Sequence, residues 1–148
     1  MLIFYSGDER FACKAEDVLE IIPLVALKKI QSSHKCLIGS VNYGGLLVPV
    51  LDWGLLQMER PSQRNLHTRI IFIPHPDMES DIPYLGILAE RVTTTLEADP
   101  SRFISSPVAL KENPYFSGVM TDAVGTIELV DLKVLARLFA EQLKKQEV

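Results

Sequence analysis

The stretch Gly39-Ser-Val-Asn42-Tyr-Gly-Gly45-Leu-Leu-Val-Pro49-Val-Leu-Asp52 decides the fold, because two apolar runs flank a pair of glycines. The runs Leu37–Tyr43 and Leu46–Leu51 have the composition of β-strands. Two adjacent glycines suit the tight turn of a β-hairpin, whose central residues take positive φ angles. Asp52 follows the second strand and is a preferred N-cap residue, so a short helix is expected to start there and to run through Met58.

The same arrangement recurs later in the chain. Gly118 precedes Asp131 by the same separation as Gly39 precedes Asp52. Aligned on these positions, Val41 meets Met120, Val48 meets Ile127, Val50 meets Leu129, and Leu55-Leu56 meets Val134-Leu135. An earlier block also matches, since Ala15-Glu-Asp-Val18 resembles Ala89-Glu-Arg-Val92. Two copies of one small β unit explain these matches, and chance similarity between apolar segments is the alternative.

The remaining apolar runs and turn signals predict further strands at Leu2–Tyr5, Arg10–Cys13, Arg69–Ile73, Tyr84–Ala89, Val92–Leu96, Ser117–Thr121 and Thr126–Val130. Ala15–Ile22 is expected to begin as a short helix and to end as a strand. Asp99-Pro100 has the pattern of a helix start. Leu132–Lys144 places its apolar residues on one stripe at helical spacing, which predicts a C-terminal helix packed on the sheet.

These elements predict an all-β fold with short helices. The chain of 148 residues is expected to form a single domain over residues 1–148, with a first barrel in 1–66 and a second barrel plus the C-terminal helix in 67–148. Each unit would hold about five strands in a curled sheet that closes its own edges.

Composition excludes several classes of function. A hydrophobic fraction of 47% and a charged fraction of 23% are typical of a globular protein. A net charge of −4, without a cluster of Lys and Arg, argues against a nucleic-acid partner. No segment is apolar enough for direct insertion into a membrane, and no signal peptide is recognised, so a cytoplasmic protein with reduced cysteines is expected.

Neither a catalytic nor a metal-binding pattern is recognised. His34 and Cys36 could ligate zinc with Cys13, but the paired spacing of zinc sites is missing, so we expect no metal, no cofactor and no enzymatic activity. No serine lies in a nucleophile-elbow pattern. Trp53 and Met58 either pack in the core, which is favoured, or form an exposed apolar interface. The residues by themselves therefore favour a binding module.

The stretch from Gly39 to Asp52 also resembles the signature of the CheW family, in which Gly-Val-x-Asn-x-Arg-Gly runs into an apolar strand ending Pro-Val-x-Asp-Leu. Other segments resemble the family in the same order: Leu2-Ile-Phe4, Arg10-Phe-Ala12, Val18-Leu-Glu20-Ile21, Thr68-Arg-Ile70-Ile71, Gly86-Ile-Leu88-Ala-Glu-Arg-Val92, Tyr115-Phe-Ser-Gly118 and Leu129-Val-Asp131-Leu132. The resemblance covers nearly the whole chain and is specific as an ordered set.

The resemblance implies two SH3-like five-stranded β-barrel subdomains, which agrees with the internal repeat. It also implies a non-catalytic signal-transduction adaptor of a chemotaxis or chemosensory pathway. Its partners would be the regulatory domain of a CheA-type histidine kinase and the cytoplasmic tip of a methyl-accepting chemoreceptor. Such an adaptor would be cytoplasmic and recruited to membrane receptor arrays. The alternative is an orphan β-barrel interaction module that has lost kinase coupling.

Carried over by position, the resemblance places kinase binding at Val18, Glu20 and Ile21. It places receptor binding on the segment that contains Val41, Asn42, Tyr43, Gly44 and Gly45. Gly44 stands where the family has an arginine, so the charge-assisted hydrogen bonds of that side chain are missing. The loss suggests a divergent adaptor for a non-flagellar chemosensory pathway, with a flagellar pathway as the open alternative.

Overall fold

The computed structural model describes residues 1–30, 34–93, 100–105 and 113–146. Within these residues the strands are β1 (Leu2–Ser6), β2 (Glu9–Cys13), β3 (Glu20–Pro23), β4 (Leu37–Tyr43), β5 (Leu46–Asp52), β6 (Arg69–Pro74), β7 (Tyr84–Thr93), β8 (Phe116–Thr121) and β9 (Thr126–Val130). The α-helices are α1 (Trp53–Met58) and α2 (Leu132–Gln146), and the 3-10 turns are Ala15–Asp17 and Pro100–Arg102.

The predicted hairpin and the predicted helix starts after Asp52 and Asp131 are confirmed. Gly44 and Gly45 have φ angles of 58° and 89°, as a two-residue turn with positive φ at both positions requires. The side chain of Asp52 accepts hydrogen bonds from the backbone N–H groups at the start of α1, and Asp131 does the same for α2. The repeated glycine and aspartate positions therefore mark the same structural roles in both copies.

The strands form two five-stranded units that share β7. Unit 1 contains β8, β9, β2, β1 and residues 90–93 of β7. Unit 2 contains β4, β5, residues 84–89 of β7, β6 and β3. In each unit one neighbouring pair is parallel, β2 with β9 in unit 1 and β5 with β7 in unit 2. The equivalent pairing confirms that the repeat reflects two copies of one unit.

Strand pairing crosses the predicted boundary after residue 66, so the predicted sequential barrels are a wrong description of the sheets. The hairpin β1–β2 from the first half pairs with strands of the second half. Strand β6 and the first part of β7 in turn complete the unit that contains β3, β4 and β5. The repeat shows which segments are alike. Because the two copies of a strand have similar edges, the sequence alone does not determine to which copy a neighbouring hairpin pairs.

The predicted break between Tyr84–Ala89 and Val92–Leu96 is also wrong, since β7 runs without interruption through both units. Arg91 has a φ angle of 47°, and the register with β1 shifts beside it. The chain therefore bends within one strand, and the two predicted strands belong to one element. Residues 94–96 of the second predicted strand, and Asp99 of the predicted helix start, lie outside the described residues.

The repeated glycines lie where each unit closes. A Cβ at Gly39 would stand 2.7 Å from the carbonyl oxygen of Lys28, and one at Gly118 would stand 3.0 Å from the Cβ of Phe103. The residue after each glycine makes a pair of backbone hydrogen bonds, Ser40 with Lys28 and Val119 with Ile104. Both glycines thus permit the close approach that joins the two ends of each unit.

Trp53 lies in the core shared by the two units, which decides between the alternatives left open for it. Its side chain is 0% exposed, and its ring packs edge-on against Phe4 at 5.2 Å and Phe11 at 5.0 Å between ring centroids. Met58 is half-buried. The predicted apolar stripe of α2 is likewise buried, with Leu132, Leu135, Ala136, Phe139 and Ala140 facing the core.

The buried carboxylate of Asp52 holds α1 and the following connector in place. It accepts hydrogen bonds from the N–H groups of Gly54 and Leu55 and from both the N–H and the hydroxyl of Ser62. We expect Asp52→Ala to lower the free energy of unfolding by about 2–3 kcal/mol, because buried donors lose their acceptor. The matched variant Asp131→Ala removes a more exposed cap and should cost about 1 kcal/mol. Urea denaturation measures both, and equal losses would contradict this role of Asp52.

Candidate functional site

The predicted kinase-binding residues lie at the start of β3. Glu20 opens the strand and is exposed, whereas Val18 and Ile21 are half-buried against the main core. Leu19, which the sequence prediction missed, is 53% exposed beside Glu20. Val18 and Ile21 therefore support the strand, and Leu19 and Glu20 present side chains to solvent. The segment Val-Leu-Glu-Ile alone does not show which of its apolar residues faces outward.

The predicted receptor-binding residues form the end of the β4–β5 hairpin, with one exception. The side chain of Val41 is 2% exposed and lies in the core of unit 2. Asn42, Gly44 and Gly45 are exposed, and the Asn42 side-chain oxygen accepts a hydrogen bond of 2.9 Å from the Gly45 N–H. Asn42 thus fixes the turn conformation, and the exposed end of the hairpin begins after Val41.

Two exposed leucines extend this hairpin end, and the sequence prediction missed them. Leu46 is 39% exposed and Leu47 is 52% exposed. Both belong to β5, but the ladder of β5 with β7 runs only from Val50 to Asp52. The first residues of β5 are therefore paired with β4 alone and extend beyond the ladder with β7. We call residues 42–47 the hairpin surface, an exposed patch with both apolar and polar side chains.

The structure brings the two predicted surfaces together through Tyr43. Its hydroxyl donates a hydrogen bond to the Glu20 carboxylate, which raises the pKa of the Tyr43 phenol above its usual range. The Tyr43 ring packs edge-on against Phe72 at 5.0 Å and Tyr84 at 6.2 Å between centroids. Glu20 and the hairpin surface therefore form one continuous region of unit 2.

Gly44 leaves open space at the position of the family arginine. A Cβ built there would have no atom within 4 Å beyond its chain neighbours. A larger residue is thus accommodated sterically, although the φ angle of 58° disfavours any residue with a Cβ. Crowding by neighbouring atoms therefore does not explain why residue 44 lacks a side chain. What differs is the chemistry of the turn, which has no guanidinium.

The equivalent turn of unit 1 is held by an ion pair instead. Arg10 donates two hydrogen bonds to the Asp122 carboxylate, at 2.9 and 2.6 Å. Asp122 also accepts from the N–H groups of Val124 and Gly125 within the turn. In unit 2 the corresponding strand end is held by the hydrogen bond from the Tyr43 hydroxyl to the Glu20 carboxylate. The two units therefore differ in the polar contacts that hold their equivalent turns.

Reactive groups elsewhere give no sign of catalysis. Cys13 and Cys36 are buried free thiols, and burial raises the pKa of Cys13 to about 12, which disfavours the reactive thiolate. Within the described ranges, no group of three or more His, Cys, Asp or Glu side chains is arranged to hold a metal ion. No helix in this part of the chain has the length and apolar character needed to cross a membrane.

Comparison with known proteins supports one family. The model of the CheW-like domain family matches residues 1–139. The chain is 23% identical over 131 residues to the protein called chemotaxis protein CheW from Helicobacter pylori, covering 86% of this chain and 76% of that one. It is similar in structure to the scaffolding protein TtCheW from Thermoanaerobacter tengcongensis, with a TM-score of 0.74 at 18% identity over 88% of this chain and 82% of the other.

The chain belongs to the CheW-like domain family, as the ordered sequence motifs predicted. Members of this family are adaptors that couple chemoreceptors to CheA in chemotaxis, and they act as scaffolds. The predicted fold, two SH3-like subdomains with a C-terminal helix, is confirmed by the strand-rich structure and its likeness to a solved CheW scaffold.

The Arg10–Asp122 pair makes stability depend on pH in the acid range. The two hydrogen bonds from Arg10 hold the pKa of Asp122 well below its usual range. The stabilisation is complete above the ordinary aspartate pKa of about 3.9 and is lost as the pH falls through the lower folded-state value. We expect Asp122→Asn to be less stable than the wild type at pH 7 and the difference to shrink below about pH 4. Urea midpoints at pH 7, 5, 4 and 3 measure it, and a difference that grows on acidification would contradict it.

Proposed function

We propose that this chain is a non-catalytic adaptor that binds the regulatory domain of a CheA-type histidine kinase and the cytoplasmic tip of a methyl-accepting chemoreceptor. It would act in the cytoplasm, recruited to receptor arrays at the membrane. The observation that carries the proposal is the family match over residues 1–139, and the exposed region around Glu20 and the hairpin surface supports it.

The kinase contact is proposed at the start of β3. Leu19 supplies exposed apolar area beside the carboxylate of Glu20, while Val18 and Ile21 keep the strand on the core. Buried apolar area provides most of the binding energy at such contacts, and a charge at the rim adds orientation and association rate. Glu20 therefore selects the partner more than it strengthens the complex.

The receptor contact is proposed on the hairpin surface. Leu46 and Leu47 offer apolar area, and Asn42 holds the turn in a fixed shape. Without the family arginine the contact lacks a bidentate donor, so it depends on shape and apolar area. This chemistry supports a divergent adaptor for a non-flagellar chemosensory pathway.

A second candidate function is suggested by the residue at position 44. Gly44 in place of the arginine is also what an interaction module that no longer couples a kinase would tolerate. An affinity pull-down from a lysate of the source cells separates the two functions, with bound proteins identified by mass spectrometry. Recovery of a CheA-type kinase together with a receptor would support the adaptor. Recovery of neither by a folded bait would favour the orphan module.

Reversing the charge of Glu20 tests the kinase contact. We expect Glu20→Lys to weaken binding to the kinase regulatory domain by about tenfold, because one attractive charge becomes repulsive. The melting temperature should stay unchanged, since Glu20 is exposed. Glu16→Lys makes the same charge change at another exposed carboxylate and should bind normally. Isothermal titration calorimetry measures the affinities, and a melting temperature that falls along with binding would count against the proposal.

Restoring the family arginine tests the divergence of the receptor contact. We expect Gly44→Arg to leave binding to the native receptor unchanged or weaker, because that partner would have adapted to a hairpin without the guanidinium. The variant Gly44→Ala introduces the same backbone strain, of about 1–2 kcal/mol, without the charge, and serves as the control. Much tighter receptor binding by Gly44→Arg than by Gly44→Ala would contradict the divergent pathway.

A further inference from the structure

Tyr43 contacts both proposed binding regions. It is the last residue of β4 and directly precedes the Gly44-Gly45 turn, so it lies at the base of the hairpin surface. Its hydroxyl donates to the carboxylate of Glu20 on β3. Its ring also packs on Phe72, which is the cross-strand partner of Glu20 in the β3–β6 ladder. Tyr43 is therefore joined to the Glu20 position by a polar contact and by an aromatic one.

Aromatic contacts favour one orientation of the Tyr43 ring. Phe72 is buried in the core of unit 2 and stacks on Tyr84 at 6.1 Å between ring centroids. Tyr43 meets both of these rings edge-on, at interplanar angles of 90° and 87°. Edge-to-face packing of this kind favours one orientation of the ring. These contacts favour the orientation in which the phenol reaches Glu20, while Tyr43 itself stays half-buried at the base of an exposed turn, where a bound partner can restrain it further.

We propose that Tyr43 is a positioning residue that couples receptor binding at the hairpin surface to kinase binding at Glu20. This coupling rests on the proposed adaptor function, and Tyr43 is the residue that transmits it. A receptor that contacts residues 42–47 restrains Tyr43, and through its hydroxyl it restrains Glu20. Kinase binding then loses less side-chain entropy, and its affinity rises. By thermodynamic linkage the kinase raises the affinity for the receptor by the same factor.

The substitution Tyr43→Phe tests this coupling, because it keeps the ring and removes only the donor to Glu20. The measurement is the affinity of the full chain for a purified CheA-type kinase regulatory domain, with and without a saturating receptor signalling-domain fragment. A hydrogen bond of ordinary strength predicts that the fragment tightens kinase binding by about two- to tenfold in the wild type. In Tyr43→Phe the ratio of the two affinities should fall to about one, with an unchanged melting temperature.

The variant Tyr84→Phe is the matched control, since it removes a phenol oxygen from the neighbouring ring of the same cluster. It should keep the wild-type ratio. A Tyr43→Phe protein that keeps the ratio, or a Tyr84→Phe protein that loses it equally, would overturn the coupling. A wild type that binds both partners with a ratio of one would overturn the coupling and leave the adaptor function intact. A folded wild type that binds neither partner would refute both.

Discussion

Strand β7 is the constraint on which the rest of the structure depends, because its two parts belong to different sheets. Residues 84–89 lie between β5 and β6, and residues 90–93 pair with β1. At the crossing the buried carboxylate of Glu90 accepts hydrogen bonds from the N–H groups of Gly7 and Gln63. Separating the two units would break these backbone ladders and both hydrogen bonds of Glu90. Within unit 2, the strands that pair with residues 84–89 of β7 connect the hairpin surface to the strand that carries Glu20.

The shared core follows from the same arrangement. Asp52 starts α1 at the end of β5, and the next residue, Trp53, enters the space between the units against Phe4 and Phe11 of unit 1. Gly54 must be glycine, since a Cβ there would lie 2.5 Å from the carbonyl oxygen of Arg60. The large aromatic side chains of both units therefore meet in one buried cluster, whereas Leu46 and Leu47 at the hairpin end remain exposed.

Much of the local structure was predictable because it depends on residues close in sequence. Adjacent glycines at 44 and 45 require a tight turn, and Asp52 and Asp131 cap helices through backbone groups two and three residues away. The pairing of β1–β2 with β9 was not predictable, because it depends on which of two similar edges a hairpin joins. The contact of Tyr43 with Glu20 was missed for the same reason, since it requires β3 and β4 to be placed by tertiary contacts.

Strands from the first half of the sequence pair with strands from the second half, and this affects folding during synthesis on the ribosome. The β1–β2 hairpin is made more than 100 residues before its parallel partner β9. Unit 2 likewise cannot be completed until β6 and β7 have been synthesised. Contacts between residues distant in sequence fold slowly, because long loops must close before any pairing stabilises them. A chain that ends before β9 thus leaves the edge of β2 unpaired and exposed, which makes it prone to aggregation.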